Sequence, residues 1–249
     1  MISTTNSSAL VGHESERVDL APYMAVVAET SEGDDDALNV QAYRVLREAL
    51  LSGAFAPGTH LNIRPIAAQL GMSPMPVREA LARLRSDGAL ETLPNRAFRV
   101  PILAVATFRE ILLTRIRLEQ LACERAATRI DFGDLKRIAA LYEVMVQEEG
   151  GRPEDYLRLH RQFHFAIYDV AAMPVLTGVI EGLWLRIGPL IYASSRERMA
   201  VDRNHHAAIL GALRASDPVA AAAALRDDIA DGLEPICDYL VERGSQTAP

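Results

Sequence analysis

Residues 57 to 100 read PGTHLNIRPIAAQLGMSPMPVREALARLRSDGALETLPNRAFRV, and the punctuation of this stretch decides the fold of the N-terminal part. Asn62 stands where a helix wants its cap, Pro65 falls in the first turn, Ile66, Ala67 and Leu70 form a buried face, and Gly71 supplies the stop. The next helix follows at once. Ser73 is its cap, and Pro74 and Pro76 sit in a first turn whose amide hydrogens have no intrahelical partner to lose. Val77, Ala80, Leu81 and Leu84 share its inward face until Gly88 ends it. Beyond Gly88, ALETLPNRAFRVP makes two short extended runs around Pro94 and Asn95, the pattern of a β-hairpin. Upstream, Val40, Tyr43, Leu46, Leu50 and Leu51 make an apolar stripe that ends at Gly53 and the Pro57-Gly58 turn. Three short helices followed by a hairpin predict a winged helix-turn-helix over residues 37–100.

The flanks read differently. Residues 1–36 carry one basic and eight acidic side chains, show no periodicity and close on EGDDDA, so a disordered or weakly ordered acidic extension is expected. Residues 101–243 are helical in pattern, with breaks near Gly133, Gly150 to Pro153, Pro174, Ala200 and the SDP at 216–218. That spacing predicts about six helices and no strands, an all-α second domain followed by a tail at 244–249. The chain is therefore expected to be mainly α, a winged helix-turn-helix plus a helical bundle, and 249 residues suffice for two cores. No run of about 18 apolar residues suggests a membrane span, and the polar opening lacks the apolar stretch of a secretory signal. A cytoplasmic protein without a membrane partner is the expectation. Cys123 and Cys237 both lie in helical patterns and read as reduced thiols.

The net charge of −7 hides a basic island: residues 37–100 hold eight Arg against four acids. Such an island in an acidic chain suits phosphate contact, although arginines on a solvated helical face give the same count. In a helix-turn-helix the second helix lies in the major groove and aims its first turns at base edges. Here its outward positions are Pro74, Met75, Arg78 and Glu79, with Arg85 further along. Arg78 is the candidate for base readout, because a guanidinium holds both acceptors of guanine at once. Arg64 and Arg96, at the start of the preceding helix and at the hairpin tip, would sit over phosphates or the minor groove. One short helix reads few base pairs, so a homodimer on a palindromic operator in double-stranded DNA is expected.

A second constellation begins at HRQFH, residues 160–164. Tyr156, His160, Phe163, His164, Ile167 and Ala171 fall on one helical stripe, so both imidazoles point where the apolar face points. His206 shares its stripe with Ile209, Leu210 and Leu213, whereas His205 lies one step round. Asp227, Asp231, Glu234 and Asp238 form an acidic solvent face, but Asp228 lines up with Ala221, Ala224 and Leu225. His206 and Asp228 each lie 11 residues from Asp217, hence at one height if Asp217 centres an antiparallel turn. An ionised Asp buried beside histidines costs several kcal/mol unless compensated. A divalent cation compensates it, and three imidazole nitrogens with one carboxylate oxygen suit zinc first, with nickel, manganese or iron also accepted. The alternative is Asp228 paired with a protonated histidine and no metal. An open coordination position would attract a small organic acid as effector, with Arg115 holding its far end, unless Arg115 pairs with Glu119 one turn on. The same donor set could instead activate water in a metal-dependent hydrolase-like enzyme, but no uncommitted general base stands out.

Two stretches carry a family resemblance. Across residues 38–100 the PG turn, AAQLGMS, PVREALARL and DGALE stand in the order of the DNA-binding domain of GntR-family bacterial transcription regulators. The resemblance implies DNA contacts from Arg64, Ser73, Pro74, Met75, Arg78 and the wing. Pro74 replaces an Arg common in the family and Ala97 a wing Gly, which implies a different operator and a less tightly turned wing tip. Residues 104–240 resemble the FCD effector domain of the FadR-type branch, through RIRLEQLACERAA, FHFAIYDVAAMPVL and HAAILGALRASDPVAAAAALRDDI. Many FCD domains bind a metal through an Asp four residues before the FH histidine, that histidine and two later ones. Here His160 occupies the Asp position and Asp228 the last His position, so two ligands have exchanged types while the count is kept. Arg115 matches the family's R-x-x-x-E position, which implies an effector-carboxylate anchor, and the whole implies a ligand-responsive repressor.

Overall fold

A computed structural model describes residues 18–30, 37–94, 97–148, 153–198 and 203–246. The chain divides into two compact units: one takes the chain to Ala49 and Phe55–Ile102, the other Leu50–Ala54 and the chain from Leu103.

The first unit contains α1 (Ala21–Thr30), all but the last two residues of α2 (Leu38–Leu51), β1 (His60–Leu61), α3 (Ile63–Leu70), α4 (Pro74–Ser86), β2 (Glu91–Thr92) and β3 (Phe98–Arg99). The stripes predicted from sequence are the buried ones: Ile66, Ala67 and Leu70 on α3, and Val77, Ala80, Leu81 and Leu84 on α4. Arg83 stacks its guanidinium 3.9 Å from the centre of the Tyr43 ring, and the Tyr43 hydroxyl donates to Asp87 at 2.9 Å, which pins α2 to the end of α4. Gly71, at φ 66°, ends α3 in the left-handed conformation that lets the Met72 amide reach back to the Ala67 carbonyl.

Three features of this unit depart from expectation. Asn62 and Ser73 do occupy the N-cap positions, but neither side chain makes the capping bond. The physical reason is shared: Pro65 and Pro76 stand at the third helical position, where they remove an amide hydrogen that a cap would accept. The wing is a three-stranded sheet rather than a hairpin alone, because His60 and Leu61 pair antiparallel with Arg99 and Phe98 and give the order β1-β3-β2. A two-residue strand leaves no alternation to read. Finally, part of the expected disordered extension is a helix, α1. Its sequence APYMAVVAET has no apolar stripe; docking holds it, with Leu20 and Val27 buried and the Leu20 amide donating to Gln69 on α3 at 3.1 Å. Residues 1–17 and 31–36 lie outside the described residues, as does the wing-tip Arg96.

The second unit contains α5 (Val105–Ala127), α6 (Phe132–Gln147), α7 (Pro153–Val170), α8 (Pro174–Arg198), α9 (Arg203–Arg214) and α10 (Pro218–Gln246), the six helices expected and, among the described residues, no strand. Small side chains at the start of α10 bring its backbone onto α5: the Gln120 amide donates to the Ala222 carbonyl at 3.3 Å and the Cys123 thiol to Ala221 at 3.6 Å. Cys123 and Cys237 are free thiols, both buried, and burial, with Glu124 and Asp228 nearby, pushes Cys123 up to about 12. By length and composition alone Pro174–Ala193 of α8 is apolar enough to cross a membrane, although Glu181 and Arg186 interrupt it. Its Ile180, Trp184, Leu185, Ile187 and Leu190 are buried in the bundle, as in a core helix.

The turn between α9 and α10 sets the height of His206 against Asp228. Ser216 takes a positive φ of 50°, and Asp217 caps α10 by accepting from the Val219 and Ala220 amides at 3.0 Å each. Asp217→Ala should therefore cost about 0.5–2 kcal/mol, seen as a melting temperature lower by a few degrees in a calorimetric scan. An unchanged transition would remove the cap from the account.

Candidate metal centre and reading head

α7 brings His160 and His164 inward, α9 brings His206 and α10 brings Asp228. One ligand atom from each lies within 4.8 Å of the others. His164 is the hub. Its Nε2 is 3.2 Å from Nε2 of His160 and 3.3 Å from Oδ2 of Asp228, while Nε2 of His206 is 3.2 Å from Oδ1 of Asp228. Two donors held 2.0–2.1 Å from a tetrahedral centre stand about 3.3–3.4 Å apart, the scale of these contacts, with His164 and His206 meeting different oxygens of Asp228. His164, His206 and Asp228 are buried and His160 keeps partial exposure, which makes His160 the open side. His205, one step round, instead meets Asp231 at 2.9 Å on the outer face.

Behind His164 stands a ring of buried polar groups. Its Nδ1 is 3.2 Å from the Tyr168 hydroxyl, which donates to Glu119 at 2.5 Å. Glu119 also accepts from Nε and Nη2 of Arg115, at 2.6 and 3.2 Å, and from the Trp184 indole at 3.1 Å. The Arg115 guanidinium lies 4.2 Å from the centre of the Trp184 ring. Arg115 thus makes the Glu119 pair that was the alternative to effector binding.

Burial, and then the charges of His164 and His206, hold the His160 imidazole well below its usual range. Burial pushes the Asp228 carboxyl up, but His164, in contact with it, and the imidazoles of His206 and His160 bring it well below the usual carboxylate range. Burial and Glu119 push the Tyr168 phenol up, so it keeps its proton. The linkage has one sign for both metal-site groups. A histidine depressed in the folded state contributes stability above the unfolded value of about 6.5 and loses it as pH falls. A depressed Asp loses its contribution below about 3.9. The metal-free protein should therefore melt at progressively lower temperature as pH falls from 7 to 5, and again below 4. A melting temperature that rises over pH 7 to 5 would instead mark a protonated His–Asp pair as the resting state.

In the first unit, Arg64, Ser73, Pro74, Met75 and Arg78 are all exposed, Met75 to 64 %, on the side of α3 and α4 opposite the buried stripes. Glu79 accepts from Asn39 on α2 at 2.8 Å. A recognition helix needs this division: one face fixed to the head, the other free of the core.

Residues 38–100 match the model of the bacterial regulatory proteins of the gntR family, and residues 110–231 match the FCD domain. The chain belongs to the GntR family. It is a DNA-binding transcription regulator with an FCD domain, and the family and its relatives are regulators, not enzymes, which leaves the hydrolase alternative without support. The HTH-type transcriptional regulator McbR of Escherichia coli is 37 % identical over 190 residues, 73 % of this chain and 84 % of that one. The solved structure of E. coli McbR/YncC has a TM-score of 0.76 at 33 % identity and covers 84 % of this chain and 99 % of its own. The HTH-type transcriptional repressor RspR of E. coli is 26 % identical over 170 residues, 68 % of this chain and 75 % of that one.

Within this GntR-family chain, the predicted ligand set is brought together in full. The reading from sequence missed Tyr168 as a partner of the site. Its signal was present: Tyr168 follows His164 by the same four residues that separate His164 from His160, so all three share a helical face.

Proposed function

We propose that the chain is a cytoplasmic, homodimeric repressor whose FCD domain holds a divalent cation and a small carboxylate effector. The convergence of His160, His164, His206 and Asp228 carries this reading, because a buried carboxylate among three imidazoles with metal-ligand spacing has few other uses. A cation held by these four neutralises Asp228 and, in a five- or six-coordinate state, offers a position to an anionic oxygen; zinc is favoured by the ligand types, with nickel, manganese or iron accepted. His160, on the exposed side, borders the entry. Arg115 contributes positive charge behind the site, and an effector carboxylate that reaches it must share it with Glu119.

At the head, Arg78 reads a guanine in the major groove while Arg64, Ser73, Pro74 and Met75 fix the helix against the backbone and groove wall. The Ser73 hydroxyl makes no capping bond and so can turn to a phosphate. Two heads on a palindrome supply affinity that one short helix lacks. The effector weakens operator binding by as much as it favours one arrangement of the bundle over the other.

The test is fluorescence anisotropy of metal-loaded protein on its operator, titrated with short-chain mono-, di- and hydroxycarboxylic acids. At least one acid should weaken binding roughly 5-fold or more, and chelation should abolish that response. An operator affinity indifferent to every acid would contradict the proposal.

A further inference from the structure

The ring behind His164 has a direction, because its donors are fixed by chemistry. Arg115 and Trp184 carry only N–H donors toward Glu119, so both Glu119 oxygens act as acceptors there. The remaining contact to Glu119 is the Tyr168 hydroxyl, which therefore donates. With its one proton spent, the Tyr168 oxygen has only lone pairs left for His164. We infer that Tyr168, backed by Glu119, is a positioning residue for the metal site: it holds His164 with the proton on Nδ1 and the Nε2 lone pair turned into the cluster.

The inference rests on the metal reading but makes a claim of its own. A neutral imidazole has one protonated nitrogen, and the partner of the other decides which. In the opposite tautomer, an Nε2–H would stand 3.2–3.3 Å from His160 and Asp228, where it would bond to the Asp228 carboxylate and close the site to a cation. Tyr168, Glu119 and His164 are fully buried, so water does not substitute for the missing bond. The arrangement is a carboxylate–histidine relay with a phenol inserted between its two members.

The test uses the full-length protein in two arms. In the first, long-range 1H–15N correlation on metal-free protein at pH 8 reads the His164 tautomer. Wild type should give Nδ1–H; Tyr168→Phe should lose that preference; and Glu119→Gln, which offers an amide donor to the Tyr168 oxygen and so turns its proton toward Nδ1, should move His164 to Nε2–H. In the second arm, zinc affinity by chelator competition should fall about 10–100-fold in Tyr168→Phe, with the far-UV spectrum unchanged. An Nε2–H tautomer in wild type, or a Tyr168→Phe protein with unaltered tautomer and affinity, overturns the inference. If Glu119→Gln fails to fold, Tyr168→Phe decides alone. Should wild type bind no zinc, the metal reading falls, while the tautomer arm still decides the role of Tyr168.

Discussion

His164→Ala should lose its zinc and melt about 10 °C below wild type in zinc-containing buffer. A ligand at a thousandfold excess over its Kd adds about 4.1 kcal/mol to the folded state, and a chain of this size moves roughly 2–4 °C per kcal/mol. His164 is the side chain that meets both His160 and Asp228, so its removal leaves three donors and takes away the central member of the cluster. A chelator separates this from packing. In EDTA the gap should shrink to the cost of a buried side chain and its Tyr168 contact, because the wild type then lacks its metal as well. The same gap with and without EDTA would mean that His164 is a core residue only.

Arg78→Ala should cost the dimer roughly a thousandfold in operator affinity. A bidentate arginine–guanine pair is worth about 1–3 kcal/mol, a palindrome presents it twice, and about 4 kcal/mol is close to three factors of ten. Arg78 is exposed on the first turns of α4, and the substitution leaves the buried Val77–Leu81–Leu84 stripe untouched, so the fold should be unaffected. The signature is selectivity: affinity for random DNA should drop far less, since one phosphate-scale charge per protomer is removed. Equal losses on operator and random duplex would assign Arg78 to the phosphate backbone.

What the sequence made legible follows the range of the forces involved. The stripes on α3 and α4, the six-helix count and the convergence of His160, His164, His206 and Asp228 are carried by 3.6-residue periodicity and by a turn whose centre, Asp217, is marked by its own capping chemistry. β1 and α1 were not legible in the same way. His60 and Leu61 become a strand only because β3 lies beside them, and α1 is held by Leu20 and by the Gln69 contact rather than by a pattern of its own. Asn62 and Ser73 show the opposite failure, where a familiar cap residue is disarmed by a proline three positions on. Arg115 could be placed facing inward, yet the choice between a ligand anchor and the Glu119 pair depended on Tyr168 and Trp184, residues from two other helices.

The central claim is that four side chains from α7, α9 and α10 hold one cation. Anomalous diffraction at the zinc absorption edge, from crystals of full-length protein grown with zinc, tests it most directly. The account predicts a single strong peak in the bundle, about 2.0–2.2 Å from nitrogens of His160, His164 and His206 and an oxygen of Asp228. A cluster without such a peak, or zinc bound only at surface residues, would contradict it.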